Sequence, residues 1–371
     1  MIPAIASRIP LVRRTKAPAL PLEERINHLT GLTVAPAGAS HHDLVARACG
    51  VLNYAALIAS DVGLPDLAED LCWRQHQVFA NAGRLSGRVA VMSLMPLVNL
   101  ARLQTRAGHG ELAYSLLNCL NDAARHRNKT DIDGRTVDLS TLTGTDDDHR
   151  AVCQELYVTL LVDGARALAR IGRWTEAADA MAQHRGIGNR LLDGRQIKIM
   201  ALMEQGLDQQ ARDLIDTTQP AEPWERAIAL LLHAHCRPAH TPFVPEVDHD
   251  RTLDAAVQLL DHPHPPTAAF QTRTGLSALE LDRTERHTAR LLDPLVRVAR
   301  LDAYAARDAL HHPVAASALD NSATDALNTV IATAGLGSGT LSAHHHEALT
   351  GAVGHAETEL AKLLQTKPDP G

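Results

Sequence analysis

Three clusters of histidine, carboxylate and cysteine side chains are the first candidates for chemistry in this sequence. They occur at residues 146–149 (DDDH), at His233, His235 and Cys236, and at residues 344–347 (HHHE). Metal ligands on one helix must lie three or four residues apart to share a face, whereas consecutive histidines spread around the helix. Adjacent carboxylates at a helix start commonly cap the helix and interact with its dipole. We therefore expect capping and solvated side chains here, with no metal site and no cofactor.

Motifs of known enzymes do not stand out either. Gly186 and Gly188 form a lone G-x-G with no predicted strand before it, which is not the context of a dinucleotide site. The sequence contains no P-loop, no G-x-S-x-G and no H-E-x-x-H. We therefore assign no catalytic residue from the sequence.

The composition favours packed helices. Of the 371 residues, 45% are hydrophobic but only 3% are aromatic, and alanine and leucine supply most of the apolar content. Strands prefer β-branched and aromatic residues, whereas alanine and leucine are strong helix formers. The formal charge of −7 creates no general basic field, so we expect no nucleic-acid partner. The alanine- and arginine-rich composition resembles that of actinobacterial proteins.

The cysteines and the first 22 residues bear on the cellular compartment of the protein. The five cysteines are odd in number, far apart and without a C-x-x-C pair, which indicates a reducing compartment. Residues 1–22 are basic and rich in proline but lack the apolar core of a signal peptide. We therefore expect a cytoplasmic protein with no membrane partner and a flexible tail over residues 1–22.

A recurring mark divides the first part of the chain into helical hairpins. In four places a glycine follows an apolar run at helical spacing, and an alanine stands five residues later. The pairs are Gly63 with Ala68, Gly108 with Ala113, Gly172 with Ala177, and Gly206 with Ala211. A glycine ends a helix because it accepts positive φ, and a small alanine lets the next helix pack closely. We therefore predict an all-α fold of antiparallel helical hairpins.

This mark resembles the tetratricopeptide repeat (TPR), over about residues 41–220. The interval of 34 residues between Gly172 and Gly206 equals the period of that family, although the other intervals are longer and the family's first-helix Trp and Tyr are missing. The resemblance implies an α-solenoid whose concave groove is lined by the first helix of each hairpin.

In that family the groove positions lie ten, nine, six and two residues before each turn glycine. On this sequence they give a mostly polar set: Asn53 from the first hairpin, Val98, Asn99, Arg102 and Arg106 from the second, Val162, Asp163, Arg166 and Arg170 from the third, and Gln196 from the fourth. Arginine forks bind carboxylate and phosphate oxygens, so the set resembles the carboxylate clamp of peptide-binding members. Asp163 departs from a clamp, which prefers a neutral amide there. The alternative is an ordinary exposed helix in which Asp163 pairs with Arg166 or Arg170.

Other segments complete the predicted organisation. Asp133-Gly134 is a tight-turn pair, which predicts a small β-hairpin near 130–139 within an insertion at 128–150. The repeats should fill residues 23–220, a helical C-terminal region should cap or continue them over 221–366, and residues 367–371 should form a tail.

Two functions agree with these patterns. The first is a non-catalytic adaptor or regulatory protein whose groove binds an acidic or carboxylate-bearing peptide or protein segment. The groove residues would be Asn53, Asn99, Arg102, Arg106, Arg166, Arg170 and Gln196. The alternative is an accessory or tailoring enzyme of a specialised-metabolite pathway, with the 128–150 insertion as its lid or site.

Overall fold

The computed structural model describes residues 4–236, 246–282 and 287–366. The tail predicted at 367–371 lies outside these ranges. The structure is mostly helical, as predicted. The first half contains α1 (Leu22–Leu32), α2 (His41–Val62), α3 (Pro65–Asn81), α4 (Gly87–Met92), α5 (Met95–Arg106), α6 (Gly110–Arg125), β1 (Lys129–Ile132), β2 (Arg135–Asp138), α7 (Asp146–Thr159), a π-helical turn (Leu160–Gly164) and α8 (Ala165–Arg170).

The second half is also helical. It contains α9 (Trp174–Gln183), α10 (Asp193–Glu204), α11 (Asp208–Asp216), α12 (Pro223–His235), α13 (Glu246–Leu260), α14 (Ala268–Leu279), α15 (Thr288–Ala299), α16 (Ala303–His311), α17 (Pro313–Ala318), α18 (Asn321–Thr333) and α19 (Ala343–Gln365). Short 3₁₀ turns cover Ala4–Arg8 and Pro265–Thr267.

The four glycines of the repeated mark lie between consecutive helices in the left-handed region. Their φ values are +93° at Gly63, +86° at Gly108, +80° at Gly172 and +73° at Gly206. The partner alanines, Ala68, Ala113, Ala177 and Ala211, are all fully buried. Each mark therefore combines a positive-φ turn with a close helix contact, as the sequence predicts.

The only β-structure among the described residues, apart from an isolated bridge, is a two-stranded antiparallel sheet. Strand β1 pairs with β2 in the register Lys129 with Asp138 and Ile132 with Arg135. The turn residues Asp133 and Gly134 both have positive φ, at 52° and 76°. This is the conformation that a two-residue hairpin turn demands.

The chain forms two compact units that differ from the predicted boundaries. Among the described residues, the first unit comprises 22–167 and 337–366, and the second comprises 4–21 and the described part of 168–336. This division differs from the expected one into 23–220 and 221–366. The physical reason is that α19 packs on α2, and its Leu349, Val353 and Leu360 enter the core of the first unit.

The N-terminal segment is another correction, because it does not extend from the protein as a tail. Ile5 and Leu11 are buried, and the backbone N–H of Leu11 donates to Gln196 Oε1 at 2.7 Å. Further along, the N–H of Ala19 donates to Asp302 Oδ2 at 2.8 Å. Residues 4–21 are thus part of the second unit, held by apolar burial and by side chains far away in sequence.

Helix α2 has the length and apolar composition that a membrane-spanning helix needs. Most of its apolar stretch is buried inside the protein, and a core helix passes the same test. It is the only helix with this length and composition among the described residues.

Candidate groove between helices α2 and α5

Four residues predicted for the first two hairpins, Asn53, Asn99, Arg102 and Arg106, line a groove of about 400 Å³ between α2 and α5, whereas the predicted Val98 is buried in the core. The groove lies wholly within the first unit. Its floor is apolar, and its polar lining consists of side chains from both helices. The lining residues are Gly50, Asn53, Tyr54, Ala56, Leu57, Ser60, Met95, Asn99, Arg102, Leu103 and Arg106. The volume is in the range of small-molecule pockets.

Local sequence sets the limits of both helices. Helix α2 starts at a capping box, in which Ser40 and Asp43 satisfy each other's backbone N–H groups, and it ends at Gly63. Helix α5 has Pro96 in its first turn, where the missing N–H costs nothing, and the turn after it contains Gly108. Side chains three or four residues apart then share one face of each helix.

The polar lining is cross-linked by hydrogen bonds. Asn99 Nδ2 donates to Asn53 Oδ1 at 2.9 Å, which ties α5 to α2. Arg102 Nη1 donates to Asn99 Oδ1 at 3.2 Å, and its Nε and Nη2 donate to Asp163 Oδ2 at 3.0 and 2.8 Å. Asp163 thus pairs with an arginine of a neighbouring helix. The Arg102 side chain remains 48% exposed, so a ligand can reach it.

Next to the groove lies a buried carboxylate, Asp61, that accepts hydrogen bonds from two arginines. Asp61 Oδ2 accepts from Arg25 Nη2 at 2.6 Å, and Asp61 Oδ1 accepts from Arg106 Nη1 at 2.8 Å. Arg106 also donates to Ser60 Oγ at 2.8 Å. The Arg25 guanidinium lies 5.7 Å from the centre of the Tyr54 ring, which lines the groove. Two guanidinium groups thus share the Asp61 carboxylate.

The sequence reasoning missed Arg25 and Asp61, although a signal existed. Arg25 stands on the same helical stripe as Leu22 and Leu29, and Asp61 lies beside the buried Val62. A charged residue within an apolar stripe predicts a buried, paired charge. Their identity as partners depends on the packing of α1 against α2, which local spacing does not reveal.

Other predicted groove residues lie elsewhere. Arg166 is half-buried in α8 and is not among the groove-lining residues. Arg170 and Gln196 belong to the second unit. Gln196 is fully buried, and its Nε2 donates to the carbonyls of Leu11 and Leu191, both at 2.9 Å. The expectation that Gln196 lines an open groove is therefore wrong, because this amide binds the N-terminal segment.

The acidic cluster at 146–149 works as caps and ion pairs. Thr145 Oγ1 accepts from the N–H of Asp148, and Asp148 Oδ1 accepts from the N–H of Gly87 at 2.7 Å. Asp146 pairs with Arg127 at 2.7 Å, and Asp147 pairs with Arg150. These three carboxylates thus take part in helix capping, hydrogen bonding and ion pairing.

The histidine clusters also have ordinary partners. His345 Nε2 lies 2.8 Å from Glu23 Oε2, and its backbone N–H donates to the cap residue Ser342. His235 Nε2 lies 3.2 Å from the carbonyl of Ser277. Within the described ranges, no group of three or more His, Cys, Asp or Glu side chains is arranged to hold a metal ion.

Comparisons of the chain with protein-family models, curated proteins and solved structures find no match.

Proposed function

We propose that this chain is a cytoplasmic binding protein of the tetratricopeptide-repeat type. Its groove between α2 and α5 would bind an acidic or carboxylate-bearing peptide or protein segment. The observation that supports this most is the pair Arg102 and Arg106. They stand one turn apart on α5, with side chains 48% and 42% exposed, beside an apolar floor.

The charged residues that line the groove are both arginines, Arg102 and Arg106, which favours an anionic ligand. Asp61, which accepts from Arg25 and Arg106, is buried and does not line the groove. The pair between Arg102 and Asp163 is partly solvated, and such pairs contribute only about 0–1 kcal/mol. A ligand carboxylate can therefore exchange for Asp163 at small cost and receive a two-pronged hydrogen bond.

The apolar and amide residues of the groove indicate which other groups the ligand should carry. Leu57, Met95 and Leu103 offer apolar contact beside the arginines. Asn53 and Asn99 are half-buried and joined to each other, and side-chain amides can also bind a peptide backbone. The preferred segment thus combines a carboxylate with an adjacent apolar side chain.

Affinity capture from a native lysate tests this function. The bait is the full chain, compared with the Arg102→Gln/Arg106→Gln variant. A matched control, Arg125→Gln/Arg150→Gln, removes the same charge from exposed positions away from the groove. We expect a protein that the wild type and the control retain and that the groove variant loses. Equal retention by all three baits would refute the groove as the binding site.

A further inference from the structure

A second pocket lies in the first unit, between α3 and the β1–β2 hairpin. Its volume is about 570 Å³, within the range of pockets that enclose small molecules. Trp73 and Phe79 of α3, Leu97 of α5, and Leu139 and Leu142 after β2 supply its apolar wall. The pocket shares no lining residue with the α2–α5 groove.

One cation of this pocket has an aromatic ring as its partner instead of a carboxylate. The Arg135 guanidinium lies 4.9 Å from the centre of the Trp73 ring, and within the described part of the chain this ring is its only side-chain partner. The other charged lining residues are paired. Arg74 donates to both Glu357 oxygens at 2.8 and 2.7 Å, and Asp138 lies 3.0 Å from Lys129 Nζ. Arg135 therefore gives the pocket an uncompensated positive charge.

His76 supplies a second polar group, and one of its ring nitrogens has no hydrogen-bond partner among the described residues. Its ring contacts Trp73 edge to face, at 5.9 Å between centres and 75° between planes. His76 Nδ1 is buried, and no described residue forms a hydrogen bond with it. Burial lowers the pKa of His76, which keeps the imidazole neutral at pH 7. The ring then offers a neutral hydrogen-bonding group beside the indole.

We propose that this pocket binds a small aromatic carboxylate. The aromatic ring packs against the apolar wall and Trp73, and the carboxylate pairs with Arg135. Arginine binds a carboxylate by two parallel hydrogen bonds, whereas a neutral analogue of the same shape leaves that charge without a partner. The planar guanidinium keeps its stacking on Trp73 while its edge binds the anion.

The probe for this site is 2-naphthoate, with naphthalene-2-methanol as its neutral counterpart. Binding to the full chain is measured by calorimetry and by NMR line broadening of the probe. We expect saturable binding of the acid, weakened about tenfold in Arg135→Gln, a loss of about 1.4 kcal/mol. Arg135→Lys keeps the charge but loses the paired hydrogen bonds and the planar stacking on Trp73, so its affinity should fall between those of the wild type and Arg135→Gln.

Two controls locate the probe. Arg125→Gln removes an exposed arginine outside the pocket and should leave affinity unchanged. Arg102→Gln/Arg106→Gln should also leave it unchanged, because those residues line the other groove. The proposal is overturned by any of three results: no saturable binding at millimolar concentration, equal affinity for the alcohol, or equal affinity of Arg135→Gln. Weakening in the Arg102/Arg106 variant alone would likewise place the probe elsewhere.

Discussion

Arg25 and Asp61 form an ion pair inside the first unit, with 2.6 Å between Nη2 and Oδ2 and with side chains only 1% and 2% exposed. Removing one member of such a pair leaves a buried charge without a partner. We expect Asp61→Asn to lower the free energy of unfolding by about 3–5 kcal/mol, measured by urea denaturation.

The matched control for that variant is Asp163→Asn, which also removes a carboxylate paired with an arginine. Its partner Arg102 is 48% exposed, so water can replace the lost interaction. The expected loss is about 0–1 kcal/mol. Similar losses in the two variants would mean that Arg25 reaches water when Asp61 is removed.

Two helical glycines should respond in opposite directions to alanine. At Gly50 in α2, an added Cβ meets nothing within 4 Å, so Gly50→Ala should gain about 0.5–1 kcal/mol through better helix propensity. At Gly194 in α10, the Cβ would overlap the carbonyl oxygen of Gly186 and lie 2.8 Å from Met181 Cε. Gly194→Ala should therefore lose about 1–3 kcal/mol. Thermal melts compare the two, and a stabilised Gly194→Ala would contradict this packing.

Thiol reactivity should separate the five cysteines. Burial raises the pKa of the Cys49, Cys72 and Cys236 thiols to about 12, whereas Cys119 is exposed. The thiolate is the reactive form. At pH 8, a disulfide reagent should modify Cys119 rapidly, and Cys153, half-buried with a raised pKa, more slowly. The other three should react only after unfolding. Survival of the fast phase in Cys119→Ser would contradict this assignment.

The second unit should lose stability in acid through Glu225. Burial alone raises the pKa of this carboxyl, but hydrogen bonds from Arg190 and from the backbone N–H groups of Leu191 and Ala221 outweigh it, so the pKa is lowered. A carboxyl whose pKa is lower in the folded state stabilises the protein at pH values above its unfolded-state pKa of about 4.5. That stabilisation is lost as the pH falls through the folded-state pKa. The melting temperature of Glu225→Gln should be lower at pH 7, and the difference from wild type should shrink below about pH 4. A constant difference would contradict this role.

The helix-ending glycines could be predicted because their signal is local. Gly63 and Gly108 need only a positive φ after an apolar run, and that requirement is visible in a few residues. The same spacing predicted Asn53, Asn99, Arg102 and Arg106 as groove residues, and the structure places all four along the α2–α5 groove.

What could not be predicted depends on contacts between segments far apart in sequence. The amide of Gln196 is buried because the N-terminal segment lies on it, and nothing around residue 196 indicates that partner. The pairing of Arg25 with Asp61 requires α1 to pack on α2. The placement of α19 on α2 likewise follows from apolar complementarity, not from any motif.

The central claim, that the α2–α5 groove binds an acidic or carboxylate-bearing segment, is tested most directly by fluorescence polarisation. Labelled peptides with acidic sequences and free C-termini are screened against the wild type, and the tightest is titrated with each variant. In Arg102→Gln/Arg106→Gln, affinity should fall by about 2–4 kcal/mol, because each charged hydrogen bond contributes about 1.5–3 and the two are unlikely to add fully. Added salt should weaken the wild type more than this variant. The Arg125→Gln/Arg150→Gln control should bind as the wild type does. If no acidic peptide binds, or if the groove variant binds as tightly as the control, the claim is wrong.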